Sequence, residues 1–312
     1  MKNKKWISLT AAVVLAVTTL PMTVVAAKKD VAEEKLMEVT LNEVAHSIFY
    51  APQYVAIEEG YFAEEGLDLT LVTGFGADKT MTAVISGEAD IGFMGAEASI
   101  YAYQEGATDP VVNFAQLTQR AGNFLVAREQ MADFKWEDLK GKKVLGGRKG
   151  GMPEMVFEYI LRKNGLDPQK DLAIDQSIDF GSTAAAFTGD DSAEFTVEFE
   201  PSATLLEKEN AGFVVASLGV DSGYVPYTSY SAKTSYIDKN PQIIQKFTNA
   251  LQKGMEYVQN HSPEEIAQVI APQFAETDLD TITTIVKRYH DQDTWKSDLI
   301  FEKERSEERR VG

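Results

Sequence analysis

The chain has no cysteine, and that one absence removes several chemistries. Without thiols there is no disulfide, no thiolate metal site and no cysteine nucleophile, so the fold must be held by its core alone. Nothing offers a lipid-attachment thiol either. Histidine is scarce: His46, His261 and His290 are the only ones, and no two stand at metal-ligand spacing. Positive charge is also short, with 30 Lys and Arg against 48 Asp and Glu and a formal net charge of −18. Three of those lysines, Lys2, Lys4 and Lys5, stand at the very start, so the rest is more acidic still. Such a chain repels nucleic acid and anionic membranes and stays apart from its own copies, so a monomer is expected. No phosphate loop, no complete dinucleotide fingerprint and no Gly-x-Ser-x-Gly elbow occurs. The sequence therefore predicts no catalytic residue, no metal and no cofactor.

What the chain does have begins with an export tag. The three lysines precede an apolar run from Trp6 to Leu20, Pro21 breaks it, and Val25-Ala26-Ala27 offers small residues for cleavage after Ala27. The run falls short of the ~20 apolar residues a membrane span needs, and no second run follows. A cleaved signal peptide over 1–27 is expected, with an uncleaved anchor as the bland alternative. The working location is then periplasmic, or else secreted. Residues 28–37 read as a flexible charged leader.

From Glu38 onward, short β-rich runs alternate with helical stretches, the pattern of an α/β fold with a largely parallel sheet. Strands are predicted at Glu38–Leu41, Leu67–Val72 and Ile91–Met94, and helices at Pro52–Glu65, Asp78–Ser86 and Ala96–Gln104. Val111–Thr118 and Phe124–Ala127 are extended and joined through Arg120–Asn123, which reads as a crossing to a second lobe. That lobe carries strands at Lys143–Gly146, Phe195–Phe199 and Val214–Leu218 and a helix at Pro153–Asn164. Tyr224–Ala232 reads as the return crossing, and helices follow at Pro241–Asn260, Pro263–Phe274 and Leu279–Asp291. The predicted organisation is lobe 1 from 38–120 plus 225–304, lobe 2 from 121–224, and a ligand cleft between them.

Glycine-bearing turns at strand-to-helix junctions point at that cleft: Gly74–Asp78, Gly95–Glu97 and Gly146–Glu154. Free N–H groups at such helix starts hold acceptors of a ligand, although any one such glycine is also explained by a tight turn alone. Phe49, Tyr50 and Tyr227 offer faces for a flat ring, as core aromatics also would. Glu97 and Glu200 offer carboxylates to an amino-bearing ligand; the plainer reading makes Glu97 a first-turn dipole partner and Glu200 a surface acid. The candidate ligand contacts are Asn42, Phe49, Tyr50, Gly76, Ala77, Gly95, Glu97, Gln116, Gly151, Met152, Glu200 and Tyr227.

From Val39 to Trp295 the chain resembles the substrate-binding proteins of ABC transporters, in the group that takes nitrate, sulfonates, taurine and thiamine pyrimidine precursors. The resemblance is carried by Ala51-Pro52-Gln53-Tyr54-Val55-Ala56, Glu59-Gly60-Tyr61-Phe62, Glu65-Gly66-Leu67, Gly76-Ala77-Asp78-Lys79-Thr80, Ser86-Gly87-Glu88-Ala89-Asp90-Ile91-Gly92, Gly141-Lys142-Lys143-Val144 and Glu200-Pro201. It implies a two-lobed periplasmic-binding-protein fold of the type II-like kind, with two crossings. It also implies capture of a small molecule for a membrane ABC permease, without chemistry. Where many relatives carry histidine, Tyr50 stands. Where sulfonate binders tend to carry serines, Gly150-Gly151-Met152-Pro153 stands, which speaks against a sulfonate, and the aromatics together with the acids lean the expected ligand toward a neutral or amino-bearing heterocycle such as a thiamine pyrimidine precursor. The alternatives are a sulfonate- or nitrate-type anion, a ligand-sensing module for a receptor, and a pyrimidine-synthesising enzyme. Relatives of that last kind use their own histidine near a cysteine-rich iron site, which a chain without cysteine lacks. Residues 305–312 resemble a tail foreign to the protein.

Overall fold

The computed structural model describes residues 35–147, 149–178 and 181–301. The expected export tag, most of the expected leader and residues 305–312 lie outside the described residues. In chain order the first half contains β1 (Met37–Glu43), α1 (Ala51–Glu58), α2 (Tyr61–Glu64), β2 (Leu67–Thr73), α3 (Ala77–Ser86), β3 (Ile91–Gly95), α4 (Glu97–Gln104), β4 (Val111–Thr118) and β5 (Phe124–Ala127). Then come β6 (Lys143–Leu145), α5 (Met152–Lys163), β7 (Ala173–Asp175), α6 (Thr183–Gly189), β8 (Phe195–Glu198), α7 (Ser202–Lys208), β9 (Phe213–Ser217) and α8 (Leu218–Ser222). The chain closes with β10 (Thr228–Lys233), α9 (Thr234–Lys239), α10 (Pro241–Asn260), α11 (Pro263–Ile270) and α12 (Leu279–Asp291).

The strands form two five-stranded sheets, ordered β2-β1-β3-β10-β4 and β7-β6-β8-β5-β9. Consecutive strands β4 and β5 therefore belong to different sheets, and β10 returns to the first. Each sheet is mixed rather than largely parallel. β1 runs parallel to β2 and β3, and β6 parallel to β7 and β8. The crossing strands β10 and β5 run antiparallel to both of their neighbours. The reason lies in the connections: βα units return each strand in the same direction, whereas a strand arriving from the other sheet enters from the opposite end.

Burial follows position. Edge strand β2 alternates along its length, with Leu67 buried and Asp68 exposed, while all four residues of interior β5, Phe-Leu-Val-Ala, are buried. Tyr230 of β10 stacks on Phe93 of β3 with ring centroids 4.3 Å apart. The helix expected over 52–65 is broken in two, because Gly60 adopts φ 73° and restarts the chain as α2. The helix expected over 263–274 is α11 followed by a 3-10 turn at Ala271–Phe274. Ser262 and Glu265 form a reciprocal capping box at the start of α11, and Asp278 caps α12 by accepting from the Thr281 amide. After α12 the chain runs back along β4, with the Gln119 amide donating to Thr294 O at 2.8 Å and the Gln116 amide to Leu299 O at 3.0 Å. Among the described residues no helix is long and apolar enough to cross a membrane.

Candidate functional site

Strand ends and helix starts of the two sheets meet at one place. From the first sheet, β3 ends at Gly95 and turns through Ala96 into α4, whose first residue is Glu97. From the second, β6 leads through Gly146–Gly151 into α5, whose first residue is Met152. The buried Glu97 carboxylate accepts the Met152 amide at 2.9 Å through Oε1. The N-cap of α5 is Gly151, which makes no side-chain cap bond of its own. One turn farther along both helices, the Tyr101 hydroxyl lies 3.5 Å from Met155 Sδ.

An aromatic cluster floors this junction. Ser47 caps a 3-10 turn at Ile48–Tyr50 that presents two rings. Phe49 touches Tyr50 at 5.1 Å, Tyr227 edge-on at 5.6 Å, Tyr289 at 5.2 Å and Phe199 at 6.1 Å. Trp295 Nε1 donates to Phe49 O at 2.8 Å and fixes the turn from behind. Tyr50 is hydrogen-bonded to the Thr228 side chain, and burial, with Glu43 and Glu97 nearby, holds its phenol above the usual range. Burial pushes the Tyr227 phenol up as well, with Tyr50 and Glu97 adding to the effect. Its hydroxyl donates to Asn123 Oδ1 at 2.9 Å, and its carbonyl accepts the Ala96 amide at 3.2 Å. Both phenols therefore stay neutral at ordinary pH.

Of the twelve candidates, Phe49, Tyr50, Gly95, Glu97, Gly151, Met152 and Tyr227 share this junction. Asn42, Gly76 and Ala77 gather at the turn into α3, where Asn42 Oδ1 accepts from Thr80 Oγ1 at 2.8 Å and Gly76 starts the helix. Gln116 turns its amide onto its own strand, donating to Thr118 O at 3.0 Å. Glu200 sits beside the junction, its carbonyl 3.5 Å from Ser47 Oγ, but its carboxylate is engaged. The Thr204 amide and hydroxyl each donate to it at 2.9 Å, and Arg288 Nη1 donates at 2.6 Å. Burial pushes the Glu200 carboxyl up, and the Arg288 guanidinium pulls against that shift. Neither a pre-helix surface acid nor an open acceptor, Glu200 is a buried member of an ion pair.

Asn123, Thr228, Tyr289 and Trp295 belong to the junction and escaped sequence reasoning. Asn123 had a usable signal, as the last residue of the Arg120–Asn123 crossing. Tyr289 and Trp295 had none, because they come from α12 and the segment after it. Two surface cavities of about 510 and 420 Å³ lie elsewhere, one lined by Lys143, Lys149 and 173–177, the other between α12 and the end of β9. Among the described residues no group of three or more His, Asp or Glu could hold a metal ion.

Comparison with known proteins meets this geometry. Residues 48–266 match the family described as NMT1/THI5 like. The chain belongs to the NMT1/THI5-like family. Within that span lie the aromatic turn, both helix starts and the Glu200-Pro201 step. A relative from Bacillus subtilis (strain 168), the putative binding protein YtlA, is 50% identical over 273 residues, covering 87% of this chain and 81% of YtlA. A more distant relative from Aspergillus parasiticus, named 4-amino-5-hydroxymethyl-2-methylpyrimidine phosphate synthase, is 25% identical over 67% of this chain and 63% of its own length. Among solved structures, the periplasmic aliphatic sulphonate binding protein SsuA from Escherichia coli superposes with a TM-score of 0.70 at 16% identity, over 88% of this chain and 90% of SsuA. This NMT1/THI5-like chain has the periplasmic-binding-protein fold.

Proposed function

We propose that this chain is the extracytoplasmic solute-binding component of an ABC importer, which captures a small amino-bearing aromatic heterocycle and delivers it unchanged to a membrane permease. The reading is carried by one observation: the Glu97 carboxylate, set among Tyr50, Tyr227 and Phe49, is held between the strand ends of both sheets. A carboxylate there accepts hydrogen bonds from ring amino groups, and the aromatic floor offers stacking worth about 1–3 kcal/mol. Glu97 opposes a purely anionic solute. The binding-protein name of YtlA and the fold shared with SsuA support the transport role, and the pyrimidine named in the synthase relative supports the ligand class. The synthase likeness does not extend to chemistry in this reading, because the chain lacks cysteine.

The test is a thermal-shift and calorimetric panel of 4-amino-5-hydroxymethyl-2-methylpyrimidine, riboflavin, taurine and nitrate. A true solute at 100 times its dissociation constant adds about 2.7 kcal/mol of stability. The aminopyrimidine should stabilise the chain, and mass spectrometry should recover both partners unaltered. Tight binding of taurine or nitrate with no response to the aminopyrimidine overturns the ligand class, and turnover overturns the transport reading.

A further inference from the structure

We propose that Glu97 is a latch: it holds the two sheets together in the absence of solute by serving as the missing N-terminal cap of α5, and the solute must take its place on that carboxylate. This deepens the solute-binding reading, on which its second half rests.

The local sequence leaves α5 needing an acceptor. Gly150 and Gly151 precede it and carry no side chain that could cap, and Pro153 occupies the second helical position with no N–H to satisfy. Glu154 reaches back to the Gly150 amide and so leaves Met152 to another partner. That partner comes from the other sheet, at 2.9 Å and buried. Glu97 and Tyr101 lie four residues apart on α4, and Met152 and Met155 three apart on α5, so each helix offers one face to the other. The Tyr101–Met155 contact at the half-exposed rim extends the same line outward.

Gly95 makes the arrangement possible. A Cβ built there would stand 2.2 Å from Glu97 Oε2 and 2.6 Å from Oε1, so only glycine lets the carboxylate fold to this position. The backbone at Gly95 is not left-handed, so alanine is conformationally allowed and its effect is confined to displacing the carboxylate. A solute bearing amino groups donates to Glu97 and draws it from the Met152 amide. An anion cannot do so, and would have to compete with Glu97 for that helix start.

The chain's lack of cysteine makes the test direct. Glu88 and Lys170 are exposed, one before a strand of the first sheet and one before a strand of the second, and Glu88→Cys with Lys170→Cys provides a spin-label pair in the full chain. In solute-free protein the wild-type background should give one narrow distance population, that of the closed state. Glu97→Ala and Gly95→Ala should each lower the ratio of closed to open populations about tenfold or more, the value of a hydrogen bond to a charged group. Glu97→Gln, which retains an acceptor oxygen but loses the charge, should fall between wild type and Glu97→Ala. Gly95→Ala keeps the charge and moves only its position, so it remains informative if Glu97→Ala folds poorly. Unchanged distances in Glu97→Ala and Gly95→Ala, each with a cooperative melt, would overturn the latch. Because no solute is present, that failure leaves the solute-binding reading untouched, and a failed solute panel leaves the latch measurement standing.

Discussion

His46 shows how one residue's surroundings set its charge. Its Nδ1 lies 2.8 Å from Glu43 Oε1 and its Nε2 lies 2.8 Å from Gln273 O. Both partners are acceptors, so the ring must donate from both nitrogens, which only the imidazolium does. The hydrogen bond to Glu43 is the main reason its pKa stands above 6.5, with burial opposing and the Gln273 carbonyl assisting. Glu43 is fully buried at the end of β1 and also accepts from Gln53, Tyr54 and Thr73. A folded-state pKa raised above the unfolded value gives stability that is whole below about pH 6.5 and fades as pH rises through the raised value. Glu198 adds a slope of the same sign. Burial pushes its carboxyl from 4.5 to about 7, so the fold holds a proton that the unfolded chain gives up, and stability falls across that window. The chain should therefore be more stable near pH 5 than near pH 8. His46→Gln should cost about 1–3 kcal/mol at pH 5 and distinctly less at pH 8.5, read from urea denaturation at the two pH values. An equal cost at both would mean that the ring is neutral in the fold.

The helices that sequence patterning locates to the residue are those whose own signals are complete. α10 begins at Pro241 and ends before His261, and α12 runs from Leu279 to Asp291 behind its Asp278 cap. Both carry an apolar stripe at helical period along their length. β7 has three residues and α9 six, with no buried residue in α9, so neither has a periodic pattern to read. Gly254 shows where an element's own preferences mislead. It lies inside α10, where alanine would be favoured by ~1 kcal/mol on propensity. Yet a Cβ there would stand 2.3 Å from Pro52 O and 3.1 Å from the Ala56 methyl, because α10 lies directly on α1. The two effects oppose, and a backbone carbonyl cannot step aside as a side chain can. Gly254→Ala should thus destabilise by about 1–3 kcal/mol in thermal or chemical melts, the cost of overpacking. A stabilised variant would show that the helices separate freely.

At the scale of the whole molecule, the parts of the site read from sequence are those carried by strand-to-helix turns, because turn residues announce themselves locally. Gly95, Glu97, Gly151 and Met152 are of this kind. The rest depends on which distant element arrives, and nothing near Glu200 in the sequence announces Arg288. That arginine comes from α12, which packs on the 3-10 turn of the first sheet's side and on α7 of the second, so it spans the molecule. It donates to Glu200 at 2.6 Å and to Glu207 at 2.7 Å, and its guanidinium lies 5.2 Å from the Phe124 ring centre. Lys208 adds a looser tie to Asp278 at 3.5 Å. The Glu200 side chain is fully buried, so removing its partner strands a carboxylate in the interior, a loss of about 3–5 kcal/mol for pairs of this kind. Arg288→Met keeps much of the aliphatic bulk and should lower stability by about 3 kcal/mol at pH 7. Arg288→Lys should recover little, since one ammonium cannot reach two carboxylates that the fork holds on separate nitrogens. Adding Glu200→Gln to Arg288→Met removes the stranded charge and should restore a good part of the loss. Chemical denaturation of the three variants checks this, and a double variant no better than Arg288→Met alone would place the cost in lost packing rather than in charge.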